Sequence, residues 1–294
     1  MSSASIRRLI LRSGLRIVLV ILGGILLGGM LVRWAPGFGV DELDLNPRLS
    51  AESKEALRAA RTKDSGLTHF WIRYCGSILR GDLGISTAFQ RPVSDLIVER
   101  LEVTIPLLAF GAFAGMATGL AAAFLTAVTG SSAWEWFSTA ASAALLSIPA
   151  ALLGLFFFWM DSPPQWAVAL MVAPHIYRYA SEVLRASLKA PHLVLAQAMG
   201  LPQPQIWLSH IAWPLAPELL AICGSAVTLA FGACVPIEVI CDLPGIGQLA
   251  WKSALSRDLP AVVSITVLVA LLNSVVNSAA DIAGALVRRR GCLT

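Results

Sequence analysis

Long apolar stretches alternate with short polar connectors along this chain. Stretches near residues 11–32, 103–128, 136–160, 166–184, 215–240 and 262–287 each reach or approach the length of a bilayer crossing. A helix crosses about 30 Å of hydrocarbon with roughly 20 residues. Inside lipid the backbone must pair with itself, so such stretches read as helices. The pattern predicts an all-α polytopic membrane protein with six transmembrane helices.

The spans differ in character. The first carries Gly23, Gly24, Gly28 and Gly29, which permit close helix approach, and continues a basic segment without a small-x-small cleavage site, so it is expected to be retained. In the second, Gly111, Gly115 and Gly119 recur every four residues and share one face, suited to packing on another helix. Pro149 near the middle of the third removes a donor and predicts a kink. The fourth is the least apolar, with Pro174, His175, Arg178 and Glu182, the last two spaced to pair with each other or to sit at a solvated helix end.

Composition agrees with a membrane protein. Hydrophobic residues make up 56% of the chain and charged residues 14%, against about 25% charged in an ordinary soluble domain. The formal charge of +4 is carried by bases that flank spans: Arg7, Arg8, Arg12 and Arg16 before the first, Arg178, Arg185 and Lys189 after the fourth, Arg288, Arg289 and Arg290 after the sixth. That placement is an orientation signal that sets both termini in the cytoplasm, and no aromatic-studded basic groove suggests nucleic acid. Residues 33–101 then lie outside, with ten Lys/Arg against nine Asp/Glu; long translocated segments largely escape the charge rule. Within them, residues 51–61 read as a surface helix capped by Ser50 or Ser53, and residues 68–79 as an aromatic, amphipathic stretch lying on the membrane or capping the bundle. The organisation is thus residues 1–32 (cytoplasmic start and first span), 33–101 (outer segment) and 102–294 (five-helix core).

Catalytic chemistry is missing. The nearest approach to a phosphate-cradling loop, Gly247 to Ser253, lacks the glycine before its lysine and follows no strand. No H-x-x-x-H pair, G-x-S-x-G elbow or zinc-type cysteine spacing occurs. A disulfide between Cys75 and Cys241, both outside, is open. Glu218, Glu238 and Asp281 sit close to span ends, where headgroup-level solvation is the plain reading, beside the functional one that intramembrane acids invite. With no acid at a span midplane and no internal repeat, a secondary transporter is a weaker alternative; a non-transport membrane scaffold is another.

Residues 188–213 are amphipathic rather than spanning. Gly200 suits a left-handed turn between two short helices, and Pro202 and Pro204 stop one helix and open the next. The second run should bring Ile206 near His210 and Trp213 on one side, bracing a stiff knob against the span ends.

Four elements in order resemble the permease subunits of ABC importers of the dipeptide, oligopeptide and nickel class, in particular the first permease subunit. They are "RWAPG" (Arg33, Pro36, Gly37), "LRGDLGIS" (Gly81, Asp82, Gly84), "RPVSDLIVERLEVTIPL" (Arg91, Pro92) and "LPGIGQLAWKSALSRDLPAVVS" (Pro244, Gly245, Gly247, Arg257, Asp258). Residues 188–213 are similar to that family's coupling loop through Ala196, Ala198, Gly200, Leu201 and His210. The resemblance implies a type I importer permease fold in the bacterial inner membrane, with a cytoplasmic coupling helix–turn–helix between helices four and five. It also implies a second homologous permease, one or two ATP-binding subunits that hold ATP and Mg, and an extracytoplasmic substrate-binding protein. Glu238 and the last motif would then shape the outer gate or receptor-facing part, with peptide or a nickel chelate as cargo. Gln197, Met199, Pro202, Gln203 and Pro204 replace the basic residues usual in the loop, which implies a less acidic docking cleft on the ATPase. After "RWAPG" the family's G-D-P continuation is replaced by "GFGVDELDLNP".

Overall fold

The computed structural model describes residues 3–34, 76, 83–191, 193, 199–202 and 205–291. They form helices α1 (Ser3–Trp34), α2 (Val93–Thr129), α3 (Ser132–Leu146), α4 (Ala150–Trp159), α5 (Gln165–Leu188), α6 (Trp213–Ile240), α7 (Ile246–Leu255) and α8 (Leu259–Gly291). A π-helical segment, Ile206–Ala212, runs directly into α6. The expected surface helix at 51–61 lies outside the described residues, as does the aromatic stretch at 68–79 apart from Gly76. Helix occupies each of the six apolar stretches. Among the described residues, three helices are long and apolar enough to cross a membrane, Val93–Thr129, Trp213–Ile240 and Pro260–Val287, or four when α3 and α4 count as one span. The chain is therefore an all-α polytopic membrane protein.

The third stretch is broken rather than kinked. α3 and α4 meet at 92°. The Ser147 N–H closes α3 on the Ala143 and Ala144 carbonyls, and its hydroxyl adds a bond to the Ala143 carbonyl at 2.9 Å. Pro149, which has no N–H to continue the ladder, is extended at φ −61° and ψ 143°, and its carbonyl receives the N–H of Leu152 at 3.0 Å to start α4 afresh.

The residues group into two compact units. The first comprises Met1–Ile17, Arg100–Trp251 and Leu272–Thr294; the second, Val18–Glu99 and Lys252–Leu271.

In the first unit α5 is the central helix. Ala167, Val168, Val172, Ile176, Tyr177, Ala180 and Leu184 are buried in its core cluster. This explains why the least apolar stretch is nonetheless a bundle helix: it packs mainly on protein, and apolarity all round is needed only where lipid is the neighbour. Arg178 and Glu182 stay exposed and do not pair; Arg185 instead reaches Glu135 of α3 at 2.5 Å.

The glycine face of α2 meets α5 in strict register. A β-carbon at Gly111 would lie 2.4 Å from Val168 Cγ1, at Gly115 2.7 Å from the Ala169 carbonyl oxygen, and at Gly119 2.6 Å from the Ala173 carbonyl oxygen. Matching numbers rise together, so α2 and α5 run parallel. α6 opposes them: Thr104 near the start of α2 bonds Glu238 near the end of α6 at 2.8 Å, while Phe124 packs edge-on against Trp207 just before α6. α8 opposes α6 in turn, with Gly224 against Asn277 and Ala280, and Gly284 against Pro217. α3 starts beside the end of α5 through Glu135, and Gly154 of α4 lies against Ile237 near the end of α6. The α3–α4 pair thus runs from one end of this unit to the other.

In the second unit, Gly24 of α1 packs on Val267 of α8, where a β-carbon would come within 2.8 Å of Val267 Cγ2. Among the described residues of this unit, residues 83–92 form a short hook, described below.

Gly115→Val should damage the α2–α5 seam, because its β-carbon alone would fall 2.7 Å from both the Ala169 carbonyl oxygen and Val172 Cβ. Overpacking of this kind costs roughly 1–3 kcal/mol or more. The expected result is a lower thermal midpoint of the detergent-solubilised protein, with Gly14→Val, which meets nothing within 4 Å, as the neutral comparison.

Candidate functional site

Two buried carboxylates organise the polar ends of the helices, and each draws together motifs far apart in the chain. The first, Glu238, has no exposed surface. Its Oε1 accepts the Thr104 hydroxyl at 2.8 Å, and its Oε2 accepts the backbone N–H of Gly247 at 2.7 Å and of Gln248 at 3.2 Å. Thr104 Oγ1 in turn accepts the Ile246 N–H at 2.8 Å. Headgroup solvation is therefore not what accommodates Glu238; the protein supplies its donors. A carboxylate deprived of water requires such partners.

The same knot explains the glycines of the P-G-x-G motif. A β-carbon at Gly245 would fall 2.3 Å from the Glu238 carboxylate carbon, and one at Gly247 would fall 2.6 Å from Val235 Cα. Only residues without side chains let the chain close over the carboxylate. Around this core, Arg100 donates to Gln248 Oε1 at 3.3 Å, and Gln248 Nε2 donates to Asp242 at 2.6 Å. Arg100 and Thr104 are the basic and hydroxyl positions of the "RPVSDLIVERLEVTIPL" element, so two separate motifs form one structure.

The second carboxylate, Asp258, also has no exposed surface. It accepts the Ser86 hydroxyl, the Thr87 N–H at 3.2 Å and the Ala88 N–H at 3.4 Å. It also faces the Ala261 N–H at 3.5 Å, in the first turn of α8, as an N-cap residue does. The hook is closed by bonds from Ser86 N to the Arg91 carbonyl at 2.9 Å and from Val93 N to the Gly84 carbonyl at 3.0 Å. Gly84 takes φ +79°, open to glycine at little cost. Ile85 and Pro92 form a single antiparallel bridge.

The turn at Gly200 forms a third feature. Gly200 adopts φ +73°, with nothing within 4 Å of where a β-carbon would sit. The Pro202 carbonyl receives the N–H groups of Gln205 at 3.0 Å and Ile206 at 3.2 Å, starting the second run. The residues that seat this run are Ile206 and Ile211, each 2% exposed, and Trp207 against Phe124, whereas Trp213 is 47% exposed. An α-helical period groups residue 206 with 210 and 213. The π-helical segment instead brings residues five apart onto one face.

The expected site residues divide clearly. Among the outer set, Pro244 and Arg257 are exposed, while Glu238, Gly245, Gly247 and Asp258 are buried and shape the loops from beneath. Of the outer-segment motifs, Gly84, Arg91 and Pro92 build the hook, and Arg91 pairs with Glu99 at 3.2 Å. Arg33 lies in the last turn of α1; Pro36, Gly37, Gly81 and Asp82 lie outside the described residues, as do Ala196 and Ala198 and the side chain of His210. Glu218 is exposed, and Asp281 pairs with Arg16 at 3.5 Å. Cys241 carries a free thiol directed at the Gly154 carbonyl at 3.6 Å; Cys75 lies outside the described residues. Sequence reading missed Ser86, Arg100, Thr104, Gln248, Trp207 and Ile211. The first four were inside quoted motifs, and only their partners were unknown.

The first unit is thus a membrane helix bundle with a carboxylate knot at one end and the turn at Gly200 at the other. Residues 115–290 match the family model of the binding-protein-dependent transport system inner membrane component, and the chain belongs to that family. It is 26% identical, over 97% of both chains, to a Brucella suis protein whose name proposes a peptide permease. It is 24% identical to the oligopeptide transport system permease protein AppB of Bacillus subtilis (96% of this chain, 98% of the relative) and 29% identical to OppB of Escherichia coli (82% and 85%). The chain is a transport permease without an ATP-binding motif of its own. Among the described residues no cluster of three His, Cys, Asp or Glu could hold a metal ion.

Removing the Glu238 knot leaves three buried donors without a partner, each costing about 1–3 kcal/mol. Glu238→Ala is expected to unfold well below the wild-type thermal midpoint. Thr104→Val should lower it by less, and Thr104→Ser should restore it.

Proposed function

We propose that this chain is the permease subunit of an ATP-driven, binding-protein-dependent importer of peptides or oligopeptides in the bacterial inner membrane. It forms the translocation path with a second, related permease. Separate subunits, one or two in kind, bind ATP and Mg and drive the cycle, and an extracytoplasmic binding protein delivers the cargo. The names of the full-length relatives support peptide over a nickel chelate.

The observation that carries the mechanism is the unbroken helix from Ile206 to Ile240. Its 35 residues make a rod of roughly 50 Å at about 1.5 Å per residue. One end is the hairpin and the other bears Glu238. A push on the hairpin by the closing ATPase therefore reaches the far knot without passing through a loop that could absorb it. Ala196, Ala198, Gly200, Leu201, His210 and Trp213 form the coupling surface in this reading. Glu238, Pro244, Gly245, Gly247, Arg257 and Asp258 shape the outer gate near the binding protein.

Topology completes the proposal. The chain crosses six times, counting α3–α4 once, with both termini cytoplasmic. Support comes from the arginine clusters at 7–16 and 288–290, and from the end-to-end course of α3–α4 in the first unit.

Two measurements test this reading. Met199 beside the hinge is 63% exposed, so Met199→Cys, in a chain lacking other accessible thiols, should react with a membrane-impermeant reagent only from the cytoplasmic face. Reaction from outside would overturn the orientation. Gly200→Val should insert normally, because no neighbour crowds the site, yet left-handed backbone costs a β-branched residue roughly 1–2 kcal/mol. Reconstituted with its ATPases and binding protein, it should lose most peptide-stimulated ATP hydrolysis, while Gly200→Asn retains it. Normal turnover by Gly200→Val would refute the coupling role.

A further inference from the structure

We propose that Asp258 is a positioning residue that makes the hook and the start of α8 move as one piece, so that an extracytoplasmic binding protein engaging the hook displaces α8. The inference rests on the importer reading above and names one route by which the partner's arrival is felt inside the second unit.

One buried carboxylate serves two elements at once. From the hook it takes the Ser86 hydroxyl and the N–H groups of Thr87 at 3.2 Å and Ala88 at 3.4 Å. From α8 it faces the Ala261 N–H at 3.5 Å, while its own carbonyl receives the Val262 N–H at 3.0 Å as the first bond of the helix. Separating the two elements would strand a buried charge without its donors, which costs far more than breaking an exposed contact. A second tie, from the Ser264 hydroxyl to the Leu83 carbonyl at 3.5 Å, holds the other end of the hook to the next turns of α8.

Backbone strain collects on both sides of this pin. Gln90 closes the hook at φ +54° and Arg257 immediately precedes Asp258 at φ +55°, neither of them glycine. Such conformations persist when the surrounding bonds over-determine them, and they gather at sites that act rather than merely pack. The hook is internally stiff: the Gln90 N–H bonds the Ser86 carbonyl at 3.0 Å, and Ser86 Oγ accepts the Phe89 N–H at 3.0 Å. Its outer side is open, with Ile85 64% exposed and Thr87, Ala88, Gln90 and Arg91 exposed around it. A rigid, exposed hook fixed to a helix start transmits displacement; a hook on a slack tether would not.

The test uses the whole complex, both permeases with their ATPases in lipid nanodiscs, titrated with peptide-loaded binding protein. Rates are normalised to assembled complex counted by size exclusion. Asp258→Asn puts an amide N–H₂ where an acceptor oxygen stood and should lower the maximal stimulated rate about tenfold, the scale of one charge-assisted hydrogen bond. The binding-protein concentration giving half-stimulation should change little. Ser86→Ala should act in the same direction, Ser86→Thr should restore the rate, and Ser86→Ala with Asp258→Asn should be no worse than Asp258→Asn alone, as members of one link behave. Where Asp258→Asn does not assemble, Ser86→Ala, the loss of a single hydroxyl, carries the same comparison. Normal stimulation per assembled complex in either single variant overturns the pin while leaving the importer reading intact. A wild-type complex that shows no response to loaded binding protein overturns both.

Discussion

A carboxylate removed from water must be given hydrogen-bond donors, and in an apolar helix bundle the only abundant donors are backbone N–H groups not already committed to a helix. That constraint shapes the polar ends of this permease. Glu238 and Asp258 each solve it by drawing a turn onto themselves: the Pro244–Gln248 turn for Glu238, the Ser86–Ala88 turn for Asp258. The requirements then spread outward. Gly245 and Gly247 must lack side chains because the carboxylate occupies that space. Thr104 must both donate and accept because it completes the cage. Glu238 and the motif residues Thr104, Gly245, Gly247, Ser86 and Asp258, none with catalytic chemistry, are thereby explained as parts of two cages.

The apolar part obeys a different rule. Lipid offers no hydrophobic drive for helix association, so close contact depends on small residues. α2 supplies three glycines to α5 at the same spacing as Val168, Val172 and Ile176, and the backbones come near enough for carbonyl oxygens to occupy the place of β-carbons. Because one side of α5 packs into the protein core, the helix tolerates Pro174, His175 and a charged outer face. Low apolarity there signals centrality rather than a failed span.

Stiff elements join these two regimes. The π-helical segment adds residues to the start of α6 without interrupting it, and is itself seated through Ile206 and Ile211. The hinge at Gly200 is the point where the backbone turns, and it is uncrowded. In the proposed coupling role, a partner's ATP hydrolysis would act through this combination, a turn that holds its shape and a rod that carries its motion.

Much of this was readable along the chain, because hydropathy, glycine spacing and turn chemistry are local. The apolar helices, the packing face of Gly111, Gly115 and Gly119, the left-handed Gly200 and the order of the motifs all follow from neighbours within a few residues. Tertiary structure alone decided which motifs meet. Ser86 and Asp258 are 172 residues apart, Thr104 and Glu238 134 apart, and no local period links such pairs. The same holds for Ile211 in place of Trp213, which depends on a π-helical hydrogen-bond pattern the side chains do not announce, and for the 92° size of the bend that Pro149 marks. Linear sequence determined where the chain could enter lipid and where it must bend. Only the folded bundle decided how each charge withdrawn from water would be satisfied, since a donor's position is a property of the fold rather than of its neighbours in sequence.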